Sequence, residues 1–301
     1  MRSTIYKTGA AVAGTGCGGA RARRPAMGCR LPRLVLAAVL LVTAARGPAA
    51  AEPVRLAAAG SLRAALSEVT AAFGAASQMP VETEFAASGT LRRQIEEGWR
   101  PDVFASANLA HPVRLAAAGI GGPVMLFARN RLCALAQPEL AVSPGSLLER
   151  MLDPTVRLGT STPKADPSGD YAWELFAKAE PGRPGSRAIL EGKALPLTGA
   201  PDSPKAPAGQ NQYAWVMAER QADIFLTYCT NAALAQAQQP QLQIVEIPAA
   251  LAVGADYGLS VLQQERPEAW RLAAFIMAAD GQAILARHGF TAPGLPTGQV
   301  E

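Results

Sequence analysis

The chain has 301 residues, with 28 Lys and Arg against 24 Asp and Glu. Residues 1–51 hold eight of the basic residues and no acidic one, which leaves residues 52–301 with 20 basic against 24 acidic residues and a net charge of −4. Nucleic-acid binding depends on a basic surface, so we expect no nucleic-acid partner. An anionic ligand would have to be held by local dipoles and not by bulk charge.

The N-terminal segment 1–51 has the order of a secretory signal. Arg30 and Arg33 precede an apolar run over 34–42, and small residues follow to the end of the segment. This order predicts export and cleavage after the last small residue. The apolar run is shorter than the roughly 20 residues that a membrane span needs. Because the Gly-rich, basic stretch before Met27 is unusual for a signal, Met27 is a candidate for the true start.

Two of the four cysteines, Cys133 and Cys229, follow the predicted signal. They could form one disulfide in an oxidising compartment, or remain two buried thiols. Cys29 precedes the apolar run, whereas a lipid-attachment cysteine would follow it. This order favours a soluble exported protein.

Strand and helix signals alternate after the signal, which predicts an α/β chain. The predicted strands are 54–57, 81–85, 103–105, 124–127, 132–135, 156–159, 224–226, 242–247 and 257–261. The predicted helices are 62–73, 91–97, 147–152, 171–178 and 213–220, followed by two helices within 268–288. A Pro- and Gly-rich loop is predicted over 181–210.

Three predicted strand-to-helix junctions carry a serine, namely Ser61, Ser88 and Ser168. Serine is a preferred helix N-cap, and capping alone is its commoner role at any one junction. A helix start also offers free N–H groups and the positive end of the helix dipole, which together suit an anion. In open α/β sheets, ligands bind at the carboxyl ends of strands, where these serines are predicted to lie.

Signals for catalysis are weak. His111 falls in a predicted loop and His288 at the end of the last predicted helix, and neither has the spacing of a zinc site. The sequence contains no nucleophile elbow, phosphate-binding Walker loop or dinucleotide fingerprint. We therefore expect a binding protein without enzymatic activity, cofactor or metal cation. An exported hydrolase or an adhesion module is the alternative from a different class.

Several segments after the signal share, in order, the pattern of a known family. Residues 58–62 (AAGSL), 86–95 (AASGTLRRQI) and 101–107 (PDVFASA) resemble the periplasmic molybdate-binding proteins of ABC importers. Residues 222–228 (ADIFLTY) resemble the family's strand that ends in a ligand-contacting tyrosine, and 273–290 resemble its closing helices. The resemblance covers nearly all of the chain after the signal.

The resemblance implies a type II periplasmic-binding-protein fold, which has two lobes, a hinge and a central ligand cleft. It places 52–128 and 254–301 in one lobe and 129–253 in the other, with the chain crossing near 127–131 and 253–257. It also implies a monomeric periplasmic solute-binding protein that delivers molybdate or tungstate to the permease of an ABC importer.

The resemblance further implies a ligand site made of hydroxyl groups and of backbone donors at helix starts. Carried over position by position, these groups fall on Ser61, Ser88, Ser168, Asn211 or Gln212, and Tyr228. Hydroxyl and N–H groups donate hydrogen bonds, and molybdate is a fully deprotonated dianion that only accepts them. Sulfate has the same charge and shape, so discrimination between the two would depend on cavity size.

Two charged residues leave the ligand class open. Asp170 departs from the family pattern, because a carboxylate can repel a dianion or accept a proton from a protonated oxyanion such as phosphate. Arg92 could read an organic anion, or it could lie on a solvated helix face. The alternatives to molybdate are therefore sulfate, phosphate or an organic anion. The Pro- and Gly-rich loop 181–210 lies outside the segments that resemble the family.

Overall fold

The computed structural model describes residues 52–293, so the predicted signal segment and its possible start at Met27 lie outside the described residues. The described strands are β1 Val54–Ala59, β2 Val81–Ala86, β3 Val103–Ser106, β4 Met125–Ala136, β5 Leu158–Ser161, β6 Leu195–Thr198, β7 Ile224–Tyr228, β8 Gln243–Glu246 and β9 Gly254–Val261. The described α-helices are α1 Arg63–Ser77, α2 Ser88–Glu96, α3 Ala110–Ala117, α4 Leu147–Leu152, α5 Pro167–Ala179, α6 Ser186–Lys193, α7 Gln212–Ala218, α8 Cys229–Gln238, α9 Pro267–Met277 and α10 Ala279–Arg287. The predicted α/β class is confirmed.

The strands form two groups that share β4. In the first group, β1 pairs in parallel with β2 and β3, and β9 runs antiparallel to β3 and to Met125–Arg131 of β4. Helix α1 covers this group with an apolar face at helical spacing, and its Leu66, Val69 and Phe73 side chains are buried. The carboxyl ends of three parallel strands, β1 to β3, therefore lie at one edge of the sheet.

The second group contains Leu132–Ala136 of β4, which pairs antiparallel with both β7 and β8. Strand β5 lies between β7 and β6 and is parallel to both. The prediction of two separate strands at 124–127 and 132–135 is wrong, because one twelve-residue strand runs through both groups. The polar Asn130 does not break the strand, since its buried side chain donates to Thr230 Oγ1 at 2.9 Å.

The hydrophobic core is continuous where the two strand groups meet. Phe127 on β4 and Tyr257 on β9 are both fully buried, and their rings pack edge to face with centroids 6.3 Å apart. The Tyr228 ring on β7 lies 5.6 Å from that of Tyr257. Aromatic rings contribute large buried apolar areas, so this cluster ties together strands from both groups.

Some segments that the sequence analysis left as loops are ordered. The loop predicted over 181–210 contains α6 and β6, and Pro196 is tolerated because β6 is the last strand at its end of the sheet order. Helix α3 places His111 in its first turn, where the following Pro112 fits because early helical positions need no N–H bond. Helix α8 was also not predicted, and α5 begins at Pro167, four residues before its predicted start.

Cys133 on β4 and Cys229 at the start of α8 form a disulfide, which decides between the two states that the sequence left open. The bond joins residues 96 positions apart and holds α8 against the second strand group. Within residues 52–293, no helix has both the length and the apolar character that crossing a bilayer requires.

Candidate functional site

A cavity of about 520 Å³ lies beyond the carboxyl ends of parallel strands from both groups. One side, which we call the first wall, is formed by residues that follow β1, β2 and β3, namely Ser61, Ser88 and Ala107. The opposite side, the second wall, is formed by residues at strand and helix ends of the second group, namely Asp166, Gln212 and Tyr228. This is the position at which open α/β sheets bind ligands.

The serines of the first wall do not cap helices. Ser61 lies in a short 3-10 turn before α1, and Ser88 is the first residue of α2; neither helix has a side-chain N-cap bond. The Ser61 hydroxyl instead lies 3.0 Å from the hydroxyl of Tyr257. The buried Ser88 hydroxyl accepts the Ala107 N–H at 3.0 Å. The capping role is therefore wrong for both serines, and contacts across the strand ends orient their hydroxyls.

Tyr228 brings a hydroxyl from the second wall to the same place. It is the last residue of β7, it is only 1% exposed, and its hydroxyl donates to the Ala107 carbonyl at 3.4 Å. Ala107 therefore contacts Ser88 through its N–H and Tyr228 through its carbonyl. Burial, followed by the neighbouring Tyr257, raises the pKa of Tyr228 well above its ordinary value. The phenol thus stays protonated and remains a donor.

The start of α7 offers one backbone donor. The Asn211 side chain caps the helix by accepting the N–H groups of Tyr213 and Ala214, and the Asn211 N–H donates to Gln238 at 2.6 Å. The Gln212 N–H has no acceptor among the described residues. Of the two candidates from the sequence, both of which line the cavity, the geometry leaves the Gln212 N–H available.

The start of α5 differs from the sequence expectation. Ser168 is fully buried, does not line the cavity, and its hydroxyl has no hydrogen-bond partner in the described part of the chain. The residue that lines the cavity is Asp166, the N-cap of α5, whose Oδ1 accepts the Ser168 N–H at 3.1 Å. Capping satisfies a helix-start N–H, so the carboxyl is held at the helix end.

Asp170 and Arg92, the two candidates for selectivity, lie elsewhere. Asp170 lines a separate cavity with Asp256 and accepts the Lys164 N–H at 2.7 Å. Arg92 is buried on α2, where it pairs with Glu96. Neither residue lines the cavity between the walls. The Lys164 N–H holds Asp170, and Glu96 holds Arg92.

Arg92 acts instead on the neighbouring His111. Burial, and next the positive charges of Arg92, Arg114 and Arg93, lower the pKa of His111 to about 4, while Glu96 opposes this shift. The imidazole is therefore neutral at physiological pH. The cations that do line the cavity are Arg63 on α1 and Lys205 in the loop before α7.

Burial raises the pKa of Asp166 to about 6, although hydrogen bonds from the Ser168 N–H and the Ser161 hydroxyl act in the opposite direction. The Asp170 carboxylate adds to the rise. A carboxyl group with this pKa changes its protonation state near neutral pH. Among the cavity residues with a shifted pKa, Asp166 is therefore the one whose pKa lies closest to physiological pH.

Sequence reasoning missed Asp166, Tyr257 and Lys205. Asp166 was detectable, because Asp at an N-cap followed by Pro at the first helical position is a helix-start signal. Tyr257 orients Ser61 from β9, 196 positions away, and no local pattern indicates such a contact. Lys205 lies within 181–210, outside the segments that resemble the family.

The walls also touch directly. The Gly89 N–H on α2 donates to the carbonyl of Ala165, just before α5, at 2.9 Å. A Cβ at Gly89 would overlap the carbonyl oxygens of Lys164 and Ala165, so glycine permits this approach. The residues next to Ser88 and Asp166 are therefore in hydrogen-bonding contact.

Comparisons with known proteins agree with this architecture. The family model described as "Bacterial extracellular solute-binding protein" matches residues 54–291. The uncharacterized protein PM1146 of Pasteurella multocida (strain Pm70) is 36% identical over 212 residues, which cover 70% of this chain and 88% of that protein.

Solved structures share the fold at low sequence identity. The periplasmic molybdate-binding protein of Azotobacter vinelandii superposes with a TM-score of 0.63 at 17% identity, covering 80% of this chain and 100% of that one. The sulfate-binding protein SubI from Mycobacterium tuberculosis H37Rv superposes with a TM-score of 0.64 at 18% identity, covering 80% and 87%. The fold is thus that of the two-lobed periplasmic binding proteins, and the chain belongs to the bacterial extracellular solute-binding protein family.

Proposed function

We propose that this protein captures a small tetrahedral oxyanion, molybdate or tungstate, outside the cytoplasm and delivers it to the permease of an ABC importer. One observation carries the proposal: Ser61, Ser88 and Tyr228, which are distant in sequence, line one cavity with the Gln212 N–H. The fold shared with a molybdate-binding and a sulfate-binding protein supports the class of ligand.

The chemistry of the cavity suits an ion that only accepts hydrogen bonds. Tyr228 keeps its proton, and the Ser88 hydroxyl has an N–H donor on its oxygen, so its own proton remains available for a ligand. Arg63 and Lys205 add positive charge at the cavity. An anion placed between the walls would thus meet donors from both sides.

The strand arrangement supports a hinge. We propose that residues 52–128 and 254–301 act as one lobe and 129–253 as the other, because β4 runs from the first strand group into the second and the chain returns to the first group between β8 and β9. Closure of two lobes around a ligand is a common binding motion. In this proposal the segment 1–51 directs export to the periplasm, and the protein acts as a monomer without enzymatic activity or cofactor.

Calorimetric titration of the exported protein with molybdate, tungstate, sulfate and phosphate tests the proposal. We expect saturable binding of molybdate and tungstate at one site per chain. Failure of all four anions to bind would refute it. Scattering with and without molybdate tests the hinge, and an unchanged radius of gyration at saturation would refute closure.

A small organic anion is the second candidate, and the size of the cavity favours it. A volume of about 520 Å³ falls within the range of about 300–1,000 Å³ that is typical of pockets for small organic molecules. The titration therefore includes a sugar phosphate and a hydroxylated carboxylate. Tighter binding of either one than of molybdate would favour the organic ligand.

A further inference from the structure

Asp166 places a carboxyl group in a cavity whose other nearby polar groups include hydroxyl and N–H donors. It lines the cavity together with Ser88 and Tyr228, and it belongs to the second wall. Its carboxyl accepts the Ser168 N–H at Oδ1 and a hydrogen bond from the Ser161 hydroxyl, and these two bonds use only part of the hydrogen-bonding capacity of a carboxylate. The remaining capacity faces surroundings in which an anion is expected to bind.

The backbone of a neighbouring strand end limits where this carboxyl can go. Gly199 follows β6 with a φ of +88°, and a Cβ built on it would lie 2.5 Å from Asp166 Cβ and 2.8 Å from Oδ2. Only glycine allows the backbone to pack this closely. The carboxyl is thus held by its cap bond on one side and by Gly199 on the other.

The groups around Asp166 do not neutralise a negative charge by ion pairing. Ser161 on β5 contributes a hydroxyl, and Asp170 on α5 contributes a second carboxylate. Tyr213 on α7 and Tyr228 on β7 are neutral, since burial raises the pKa of Tyr213 to about 12 and that of Tyr228 well above its ordinary value. A carboxylate in these surroundings therefore carries an uncompensated charge.

Two cations line the same cavity without pairing with Asp166. Arg63 donates to the Phe85 carbonyl at 3.1 Å and lies over the Phe85 ring, and Lys205 is exposed on its loop. Within residues 52–293, neither forms a salt bridge with Asp166. Both remain placed to attract an anion, whereas Asp166 repels one when it is ionised.

A dianion and an ionised carboxylate cannot form a hydrogen bond with each other, because both only accept. One proton between them removes the conflict. We propose that Asp166 shares one proton with the bound oxyanion, so that the site takes up the anion together with a proton from solvent. This inference rests on the proposed function and adds to it a residue that determines specificity.

The chemical class of the anion decides where the proton resides. Molybdate and sulfate are both fully deprotonated near neutral pH, so with either one the proton lies on the Asp166 oxygen, which donates to the ligand. Hydrogen phosphate carries its own proton and donates it to the Asp166 carboxylate. The same site therefore binds fully deprotonated anions with proton uptake, and hydrogen phosphate without it.

The first test is calorimetry of the exported protein with molybdate between pH 6.5 and 8.5, in buffers that differ in ionisation enthalpy. We expect uptake of close to one proton per molybdate at the upper pH values, and an affinity that falls about tenfold per pH unit above the pKa of Asp166. Sulfate should behave in the same way. A pH-independent affinity without proton uptake would overturn this inference and leave the proposed function intact.

The second test replaces Asp166 and uses Asp170 as the matched control. Asp166→Asn keeps a side chain that caps helices well but removes the titration. We expect it to abolish both the proton uptake and the pH slope, and to raise the affinity for molybdate at pH 8 by roughly tenfold or more. Asp170→Asn, in the other cavity, should keep both the proton uptake and the pH slope, with the slope beginning at a lower pH because the repulsion that raises the pKa of Asp166 is removed.

Three results contradict the inference. A pH slope that persists in Asp166→Asn, or one that disappears in Asp170→Asn, would assign the proton to another group. Failure of every oxyanion to bind the unchanged protein would overturn both this inference and the proposed function. Thermal unfolding verifies that each variant is folded; if Asp166→Asn is not, Asp166→Ser, which also caps helices, takes its place.

Discussion

The first wall of the cavity consists of hydroxyl and backbone groups on short junctions, whereas the second wall contains the Asp166 carboxyl and Tyr228, which precedes the disulfide-bonded Cys229. On the first wall, Ser61 and Ser88 are oriented by Tyr257 and by the Ala107 N–H. On the second wall, Asp166 titrates near neutral pH. If the cavity binds an anion as proposed, the first wall supplies donors at every pH and the second wall makes binding sensitive to protons.

We expect one titratable group in each strand group to make stability depend on pH, in opposite directions. His111, in the first group, has a pKa lowered to about 4, so its neutral form is the one that the fold accommodates. Asp166, in the second group, has a pKa raised to about 6, so its protonated form is the one accommodated. We therefore expect low pH to reduce the unfolding free energy through His111, and higher pH to reduce it through Asp166.

The largest expected effect concerns the anchor of the second wall. Replacing Cys133 and Cys229 together by Ala removes a crosslink between residues 96 positions apart, and a loop of that length predicts a loss of about 4 kcal/mol of unfolding free energy. Urea unfolding of the oxidised protein and the double variant measures it. Equal midpoints would show that the disulfide does not constrain the unfolded chain.

The next effect compares serines on and off the first wall. Ser88→Ala should weaken molybdate binding by about 2–3 kcal/mol, because the removed hydroxyl leaves a buried charged acceptor unpaired. Ser61→Ala should weaken it less, by about 1–2 kcal/mol, since Ser61 is partly exposed. Ser168→Ala is the control, because that hydroxyl lies outside the cavity lining. Calorimetric affinities unchanged in both wall variants would place the ligand elsewhere.

The third expected effect is on the pH dependence of the unfolding free energy, through Asp166 on the second wall. Because the folded-state pKa of Asp166 is raised, its contribution to stability is fully present below its ordinary pKa near 4 and is lost as pH rises through about 6. Asp166→Asn should therefore raise the unfolding free energy of the ligand-free protein by about 1–3 kcal/mol at pH 7.5, relative to its effect at pH 4. Urea unfolding at both pH values measures the difference, and a pH-independent effect would contradict it.

The smallest effect concerns the first strand group. A histidine whose folded-state pKa is lowered loses stability as pH falls from about 6.5 to about 4. Between these pH values, His111→Gln should lose about 1–2 kcal/mol less unfolding free energy than the unchanged protein. A pH-independent effect of the substitution on stability does not alter this difference. Parallel pH profiles for the two proteins would show that His111 is not responsible for acid sensitivity.

Several parts of the fold and site could be predicted from the sequence. Hydrophobic periodicity indicated α1 and β9, and the serine junctions pointed to the cavity, since Ser61 and Ser88 both line it. Tyr228, to which the resemblance assigned a ligand contact, also lines the cavity. These features depend on patterns within a few residues, which a single sequence displays directly.

Other features depend on contacts between distant segments. Two strands were predicted at 124–127 and 132–135, but they are parts of one strand, in which the Asn130 side chain is paired with Thr230, 100 positions away. The serines looked like helix caps, but Ser61 contacts Tyr257, 196 positions away. A local pattern carries no information about partners at such separations.

The sequence by itself determined the α/β pattern, the order of the junctions and the hydroxyl groups of the first wall, because short-range periodicity and junction residues specify them. Only the tertiary structure decided which group at the start of α5 reaches the cavity. Pro167 begins the helix and leaves Asp166 at its N-cap, while the approach of Gly199 holds the carboxyl at the cavity. Ser168 turns into the core and Asp170 faces another cavity, because burial and long-range packing direct each side chain.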